Sequence, residues 1–207
     1  MNDSMQPAEI YSRFTSLPGS QYMASQFAIG QLIRWKKRSC PARVLEIGTG
    51  IGTLTFTLAS IRQKQPFQQV SMEWDDYCRD QLRANLADQW DDFKLIRTMD
   101  DLDEEAPFDF VLYDGGDQDP RPISKLPKRA VVFIEGFMDK KHELIHSIHS
   151  GKRDYVMTNF RSGDRREGVF IFLFDPTLVE RLWFGVNTFW NRLCSWLKRR
   201  GWFFSQT

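Results

Sequence analysis

Short apolar runs alternate with amphipathic segments along most of the chain. Residues 22–37 carry Met23, Phe27, Ile29, Leu32, Ile33 and Trp35 at helical spacing, and Pro41 punctuates that pattern. A first strand is predicted from Ala42, a second from Gln69 to Trp74 and a third from Phe93 to Thr98. A fourth runs from Phe108 to Tyr113 and a fifth from Ala130 to Ile134. Between them, Thr53 to Ile61 places Leu54, Leu58 and Ile61 at helical spacing. Asp75 or Asp76 supplies an N-cap for a helix carrying Leu82 and Leu86, and Asp139 to Ser150 is helical. Tyr155 to Phe160 and Val169 to Phe174 predict two strands joined by the polar turn Arg161 to Gly168, short enough for a hairpin.

Strands that alternate with helices and close on a hairpin imply an α/β class. The expected sheet is open and Rossmann-like, about seven strands, mostly parallel with one antiparallel strand and helices on both faces. Extra helices are expected at both ends. Residues 1–41 form a lead-in and helix, 42–175 the core, and 176–207 an amphipathic aromatic helix and tail. Pro7, Pro18 and Gly19 suggest loose order over residues 1–20.

The most informative string is Val44 to Gly52, where a strand enters the pattern E-x-G-x-G-x-G from Glu46 to Gly52. Glycine tolerates φ > 0 in a tight turn, and its missing side chain lets a ligand lie against the backbone. The helix that follows offers unpaired N–H groups to an anion. The dinucleotide pattern G-x-G-x-x-G would need glycine at position 53, which is Thr53.

The string resembles motif I of the class I S-adenosylmethionine-dependent methyltransferases at all four fixed positions. The order of elements over residues 42–175 is similar to that family's core. The resemblance implies S-adenosyl-L-methionine as cofactor, with Glu46, Gly48, Thr49, Gly50 and Gly52 shaping its pocket. Glu73, closing the second strand, would accept hydrogen bonds from the ribose hydroxyls; the rival reading is a helix cap. Asp100 resembles the residue beside the adenine amino group, with Met99 and Asp101 as rivals.

Phe108 to Gly115 resembles the strand of catechol O-methyltransferase-like small-molecule enzymes, which makes Asp114 the catalytic candidate beside cofactor and acceptor. Asp114, Asp117 and Asp119 could together hold Mg²⁺, which prefers oxygen ligands. Metal-dependent members place an Asp-Asp or Asp-Asn pair after the fifth strand, where this chain has Glu135-Gly136. Gly136 cannot supply a ligand, so no metal is expected. His142, His146 and His149 share one helix face, expected to be a polar outer face. The turn from Arg161 to Glu167 is the main local basic feature. It is read as solvated, with anion binding as the alternative.

A chain of 207 residues can bury one substantial core. Its 28 basic and 27 acidic residues leave a net charge of +1, with no electrostatic footprint for nucleic acid. Cys40, Cys78 and Cys194 are scattered and form neither zinc spacing nor a disulfide framework. With no signal-peptide pattern at Met1 to Ile10, a cytoplasmic location is expected. From Leu178, a stripe through Leu182, Val186, Phe189, Leu193 and Trp196 or Leu197 runs toward Lys198-Arg199-Arg200 and Trp202-Phe203-Phe204. Residues 178–204 are therefore expected to pack on the domain, form a homodimer, or make peripheral contact with a membrane. The expected activity is methylation of a small molecule at oxygen. Alternatives are aminopropyl transfer, as in polyamine synthases, and a non-catalytic binding module anchored by its C-terminal helix.

Overall fold

The computed structural model describes residues 6–62, 66–102, 107–114, 119–136, 141–151, 153–161 and 168–199; of these, the side chains of Lys37, Phe160, Arg161, Asn187 and residues 190–199 are outside the description. Seven strands form one sheet: β1 (Arg43–Ile47), β2 (Gln68–Met72), β3 (Lys94–Ile96), β4 (Phe110–Tyr113), β5 (Val131–Glu135), β6 (Tyr155–Arg161) and β7 (Gly168–Phe174). Their order is β3-β2-β1-β4-β5-β7-β6. All pairs from β3 to β5 are parallel; β7 is antiparallel to both β5 and β6. The single reversed strand is therefore β7, made by the predicted hairpin.

The two-residue period of the strands splits their apolar runs between two cores. Val44, Phe110, Leu112, Phe133 and Ile171 join one cluster. Leu45, Ile47, Val111, Tyr113, Val132 and Phe172 join the other. The first core is covered by α1 (Pro7–Thr15), α2 (Gln26–Ser39) and α3 (Thr53–Arg62). The second is closed by α6 (Lys141–Ser150), through Leu144 and Ile148. Between these lie α4 (Asp76–Asn85) and the short α5 (Arg121–Ser124). Asp75 caps α4 by accepting from Cys78 N at 2.8 Å.

The N-terminal segment departs from the sequence expectation. Residues 7–15 are a helix packed on the core, with Ile10 and Phe14 buried one turn apart. Pro7 stands at the first helical position, where its missing N–H costs nothing, and Glu9 accepts from Gln6 N at 2.7 Å. Proline here opens a helix. The next predicted helix begins later than residue 22: Ser20–Tyr22 is a 3₁₀ turn, and Ser25 caps α2 through Ala28 N at 3.1 Å.

The last helix, α7, spans Leu178–Arg199. Thr177 and Glu180 form its capping box, Glu180 accepting from Thr177 N at 2.7 Å and Thr177 Oγ1 from Glu180 N at 3.3 Å. Its inner face packs on α2: the Trp35 ring lies 5.6 Å from Trp183 and 5.4 Å from Phe184, and the Arg38 guanidinium stands 3.6 Å over Trp183. Packing on the domain thus accounts for one face of this helix only. Phe184→Ala is expected to destabilise the protein by about 3–5 kcal/mol through the cavity it leaves. Leu182→Ala, on the exposed face, should change stability by less than about 0.5 kcal/mol. Urea denaturation of the two variants checks this; similar losses in both would show that the faces are wrongly assigned.

Candidate active site

The carboxyl ends of β1, β2, β4 and β5 meet on one edge of the sheet, where open α/β sheets bind their ligands. The turn after β1 holds Gly48, Gly50 and Gly52 at φ of 82°, 52° and 100°. L-residues rarely adopt such angles, so all three glycines are required by backbone conformation. Two also answer to the chain itself. A Cβ on Gly50 would lie 2.2 Å from the Tyr22 carbonyl oxygen, and one on Gly52 would lie 2.5 Å from Leu86 and 2.6 Å from Leu82. The space at these two positions, expected to admit a ligand, is taken in part by the N-terminal segment and by leucines of and just beyond α4.

Glu73, one residue beyond β2, is buried and ties this turn to the sheet. Its Oε2 accepts from Gly50 N at 2.8 Å and from Thr49 Oγ1 at 3.4 Å, and its Oε1 from Asp75 N at 3.0 Å. Glu46 lies beneath the turn. The phase of β1 sends its side chain toward α3, where Oε2 accepts from Thr55 Oγ1 and Ser71 Oγ, both at 2.8 Å. Its Oε1 is buried without a partner, as is Thr53 Oγ1 at the start of α3. Burial raises the Glu46 pKa to about 7 against these hydrogen bonds.

Asp114 follows β4, and its N–H donates to Ile47 O at 3.0 Å, beside the end of β1. The residue is partly exposed, and its carboxyl neighbours that of Glu135. Burial, then the Glu135 charge, push the Asp114 pKa well above the carboxylate range, while Lys141 opposes them. Glu135 Oε1 also accepts from Ser25 Oγ at 3.2 Å, so the pair sits at the cap of α2. Lys141, almost wholly buried at the start of α6, donates from Nζ to Asp114 O at 3.2 Å. A Cβ on Gly136 would come within 3.3 Å of that ammonium. Glu135 and Ser25 line a cavity of about 470 Å³ whose other walls include Tyr11, Thr15, Ser20 and Gln21.

The other predicted candidates lie apart. Asp100 is exposed on a 3₁₀ turn and pairs with Arg121. Asp101 accepts from Thr98 N at 2.8 Å as a local cap, and Met99 packs into the second core. Asp119 binds Arg121 Nε at 2.6 Å, and its carbonyl accepts from the Tyr113 hydroxyl at 2.9 Å. Asp117, Gly115, Gly116 and residues 162–167 lie outside the described residues. His142, His146 and His149 are exposed on α6, and His149 contacts the Tyr155 hydroxyl. No group of three metal-ligating side chains forms among the described residues. Sequence reading missed Lys141, Ser25 and the cavity-lining residues of the N-terminal segment.

Strand order, the single reversed strand and the glycine turn together define a Rossmann-like fold of the class I methyltransferase type. The O-methyltransferase TomG of Streptomyces achromogenes, solved with SAM, has a TM-score of 0.59 at 20% identity, over 85% of this chain and 91% of that one. An O-methyltransferase from Bacillus cereus, solved with SAH, gives 0.62 at 18%, over 84% and 91%. A SAH-bound methyltransferase from Podospora anserina gives 0.62 at 14%, over 85% and 89%. No protein-family model and no curated protein matches the chain.

Glu46 makes a pH signature for the fold. Its pKa is raised in the native state from 4.5 to about 7, so the native protein holds this proton more tightly than the unfolded chain. The stabilisation is full below the unfolded value and is lost as pH rises through about 7. A shift of this size corresponds to about 3 kcal/mol. Urea unfolding at pH 5 and pH 8 should show that loss in the native sequence and less of it in Glu46→Gln. Asp114 acts in the same sense in both proteins, and loss of the Glu46 charge in Glu46→Gln removes one of the smaller causes of its shift. Identical pH slopes would remove Glu46 as the source.

Proposed function

We propose that this chain is an S-adenosylmethionine-dependent methyltransferase that methylates an oxygen of a small molecule. The observation that carries the reading is Asp114, beside the end of β1 and next to Glu135, which lines a polar cavity. The fold neighbours solved with SAM or SAH support the cofactor assignment. The chain's own residues fit such a group. A carboxylate has about four acceptor sites, and Glu73 uses three, one of them at 3.4 Å. Glu73 would hold the ribose, while Thr49, Gly48 and the N–H groups opening α3 would take the carboxylate end. Asp100 would serve the adenine side, and Glu46 would support the turn from below. When bound, S-adenosylmethionine supplies an electrophilic methyl group on a charged sulfur.

The remaining chemistry belongs to the protein. The cavity with Tyr11, Thr15, Ser20 and Gln21 offers hydrogen bonds to a hydroxylated acceptor and positions its oxygen for in-line attack. That oxygen must lose its proton. Burial and the neighbouring Glu135 charge raise the proton affinity of Asp114, so its carboxylate form would accept that proton more readily than an ordinary carboxylate. Lys141 offsets the pair's negative charge. We infer that its ammonium takes the role that a divalent ion plays in the metal-dependent relatives, over the glycine that replaces a ligand.

Calorimetry with S-adenosylhomocysteine and NADH tests the cofactor: binding of NADH alone would overturn the assignment. Glu73→Ala should weaken S-adenosylhomocysteine binding by about 1–3 kcal/mol. Because this carboxylate also anchors Gly50, thermal stability should fall with it, and unchanged affinity would leave Glu73 as a clamp only.

Tritium transfer from methyl-labelled cofactor to a panel of phenols, catechols and hydroxy acids tests the reaction. Asp114→Asn should lower kcat by about 10²–10⁴-fold with little change in cofactor affinity. Activity should survive excess EDTA. Complete loss on chelation, restored by Mg²⁺, would refute the lysine's role.

A further inference from the structure

The outer face of α7 carries most of the exposed large apolar side chains among the described residues. Leu178, Val179, Leu182, Val186 and Phe189 are between 59% (Val186) and 74% (Val179) exposed. At 3.6 residues per turn these five fall within an arc of about 100°. The opposite face carries Phe184, buried against Trp35, so the helix cannot roll to hide the stripe without emptying a core position. Contiguous exposed apolar area of this kind marks an interaction surface. In the sequence the same spacing continues through Leu193, Trp196 and Leu197.

Charge decides what the stripe meets. From Leu178 to Thr207 there are five basic residues, Arg181, Arg192, Lys198, Arg199 and Arg200, and one acid, Glu180. Glu180 is spent on Thr177 and on Arg129 at 2.7 Å, and Arg181 pairs with Asp154. Arg192 and Arg199, seven apart in the sequence, fall by the helical period on one line beside the stripe, in line with the paired Arg181. A two-fold copy of the chain would lay one such basic row along another. An anionic lipid surface complements both features: acyl chains take the apolar stripe and headgroups take the basic row. Trp190, Trp196 and Trp202 are also the residue type favoured at the headgroup level. No helix of the described residues is long and apolar enough to cross a membrane, so the contact is one that lies on the surface.

We propose that α7 docks this protein peripherally on anionic membranes through the stripe Leu178–Phe189 and its flanking basic residues. This is independent of the methyltransferase reading. The test is sedimentation of the full chain with phosphatidylcholine vesicles, with and without phosphatidylglycerol. The full chain should pellet with the anionic vesicles and remain mostly in the supernatant with neutral ones. L182E/V186E/F189E should lower the partition coefficient about tenfold or more with an unchanged thermal midpoint, since all three side chains are exposed. R192E/R199E should remove the preference for anionic vesicles. Full-chain protein that stays in the supernatant with anionic vesicles would overturn the proposal. So would a dimer in sedimentation velocity that L182E/V186E/F189E splits, because a second copy would then cover the stripe.

Discussion

The hydrogen bond from Gly50 N to Glu73 Oε2, at 2.8 Å, holds the working edge of the sheet together. Three positive-φ glycines at alternate positions form a turn with little conformational preference of its own. An unfolded glycine chain loses more entropy than any other on being fixed. A charged acceptor at the end of the neighbouring strand compensates, because hydrogen bonds to a carboxylate are stronger than neutral ones. The same residue accepts from Asp75 N, at the cap of α4. Position of the turn, direction of α4 and closure of the N-terminal segment over Gly50 thus share one carboxylate.

Around that clamp the protein buries several ionisable groups, and it manages them differently. Glu46 is surrounded by donors on one oxygen and by none on the other, and burial dominates its protonation. At Asp114, burial of the carboxyl and the neighbouring Glu135 charge raise proton affinity, with the Lys141 ammonium opposing the rise. An isolated buried carboxylate would simply neutralise.

The fold was legible because central parallel strands read as apolar runs bounded by Gly, Pro and Asp, and all seven stand close to their expected positions. The glycine turn was legible for the same local reason. Where reading failed, a partner distant in sequence decided. Residues 7–15 are helical because Ile10 and Phe14 find the core, while their proline suggested a break. Asp119, weighed with Asp114 as a possible oxygen ligand, pairs with Arg121, two residues on. Lys141 had no local signature. Lys140 stands beside it, and only the return of α6 to the end of β4 distinguishes Lys141.

The C-terminal helix joins these two kinds of information. Its range, 178–199, followed from periodicity alone, and so did its apolar stripe. Periodicity could not say which part of that stripe is core. In the fold, Trp183 and Phe184 point to α2 while Leu182 and Val186 face outward, although all four are apolar. A helix with two apolar faces and a narrow polar margin costs solubility unless the second face has a use. The inner contacts fix α7 against the domain, and this rigid mounting presents the outer stripe in one orientation. Docking through it would therefore orient the whole sheet relative to the surface it meets.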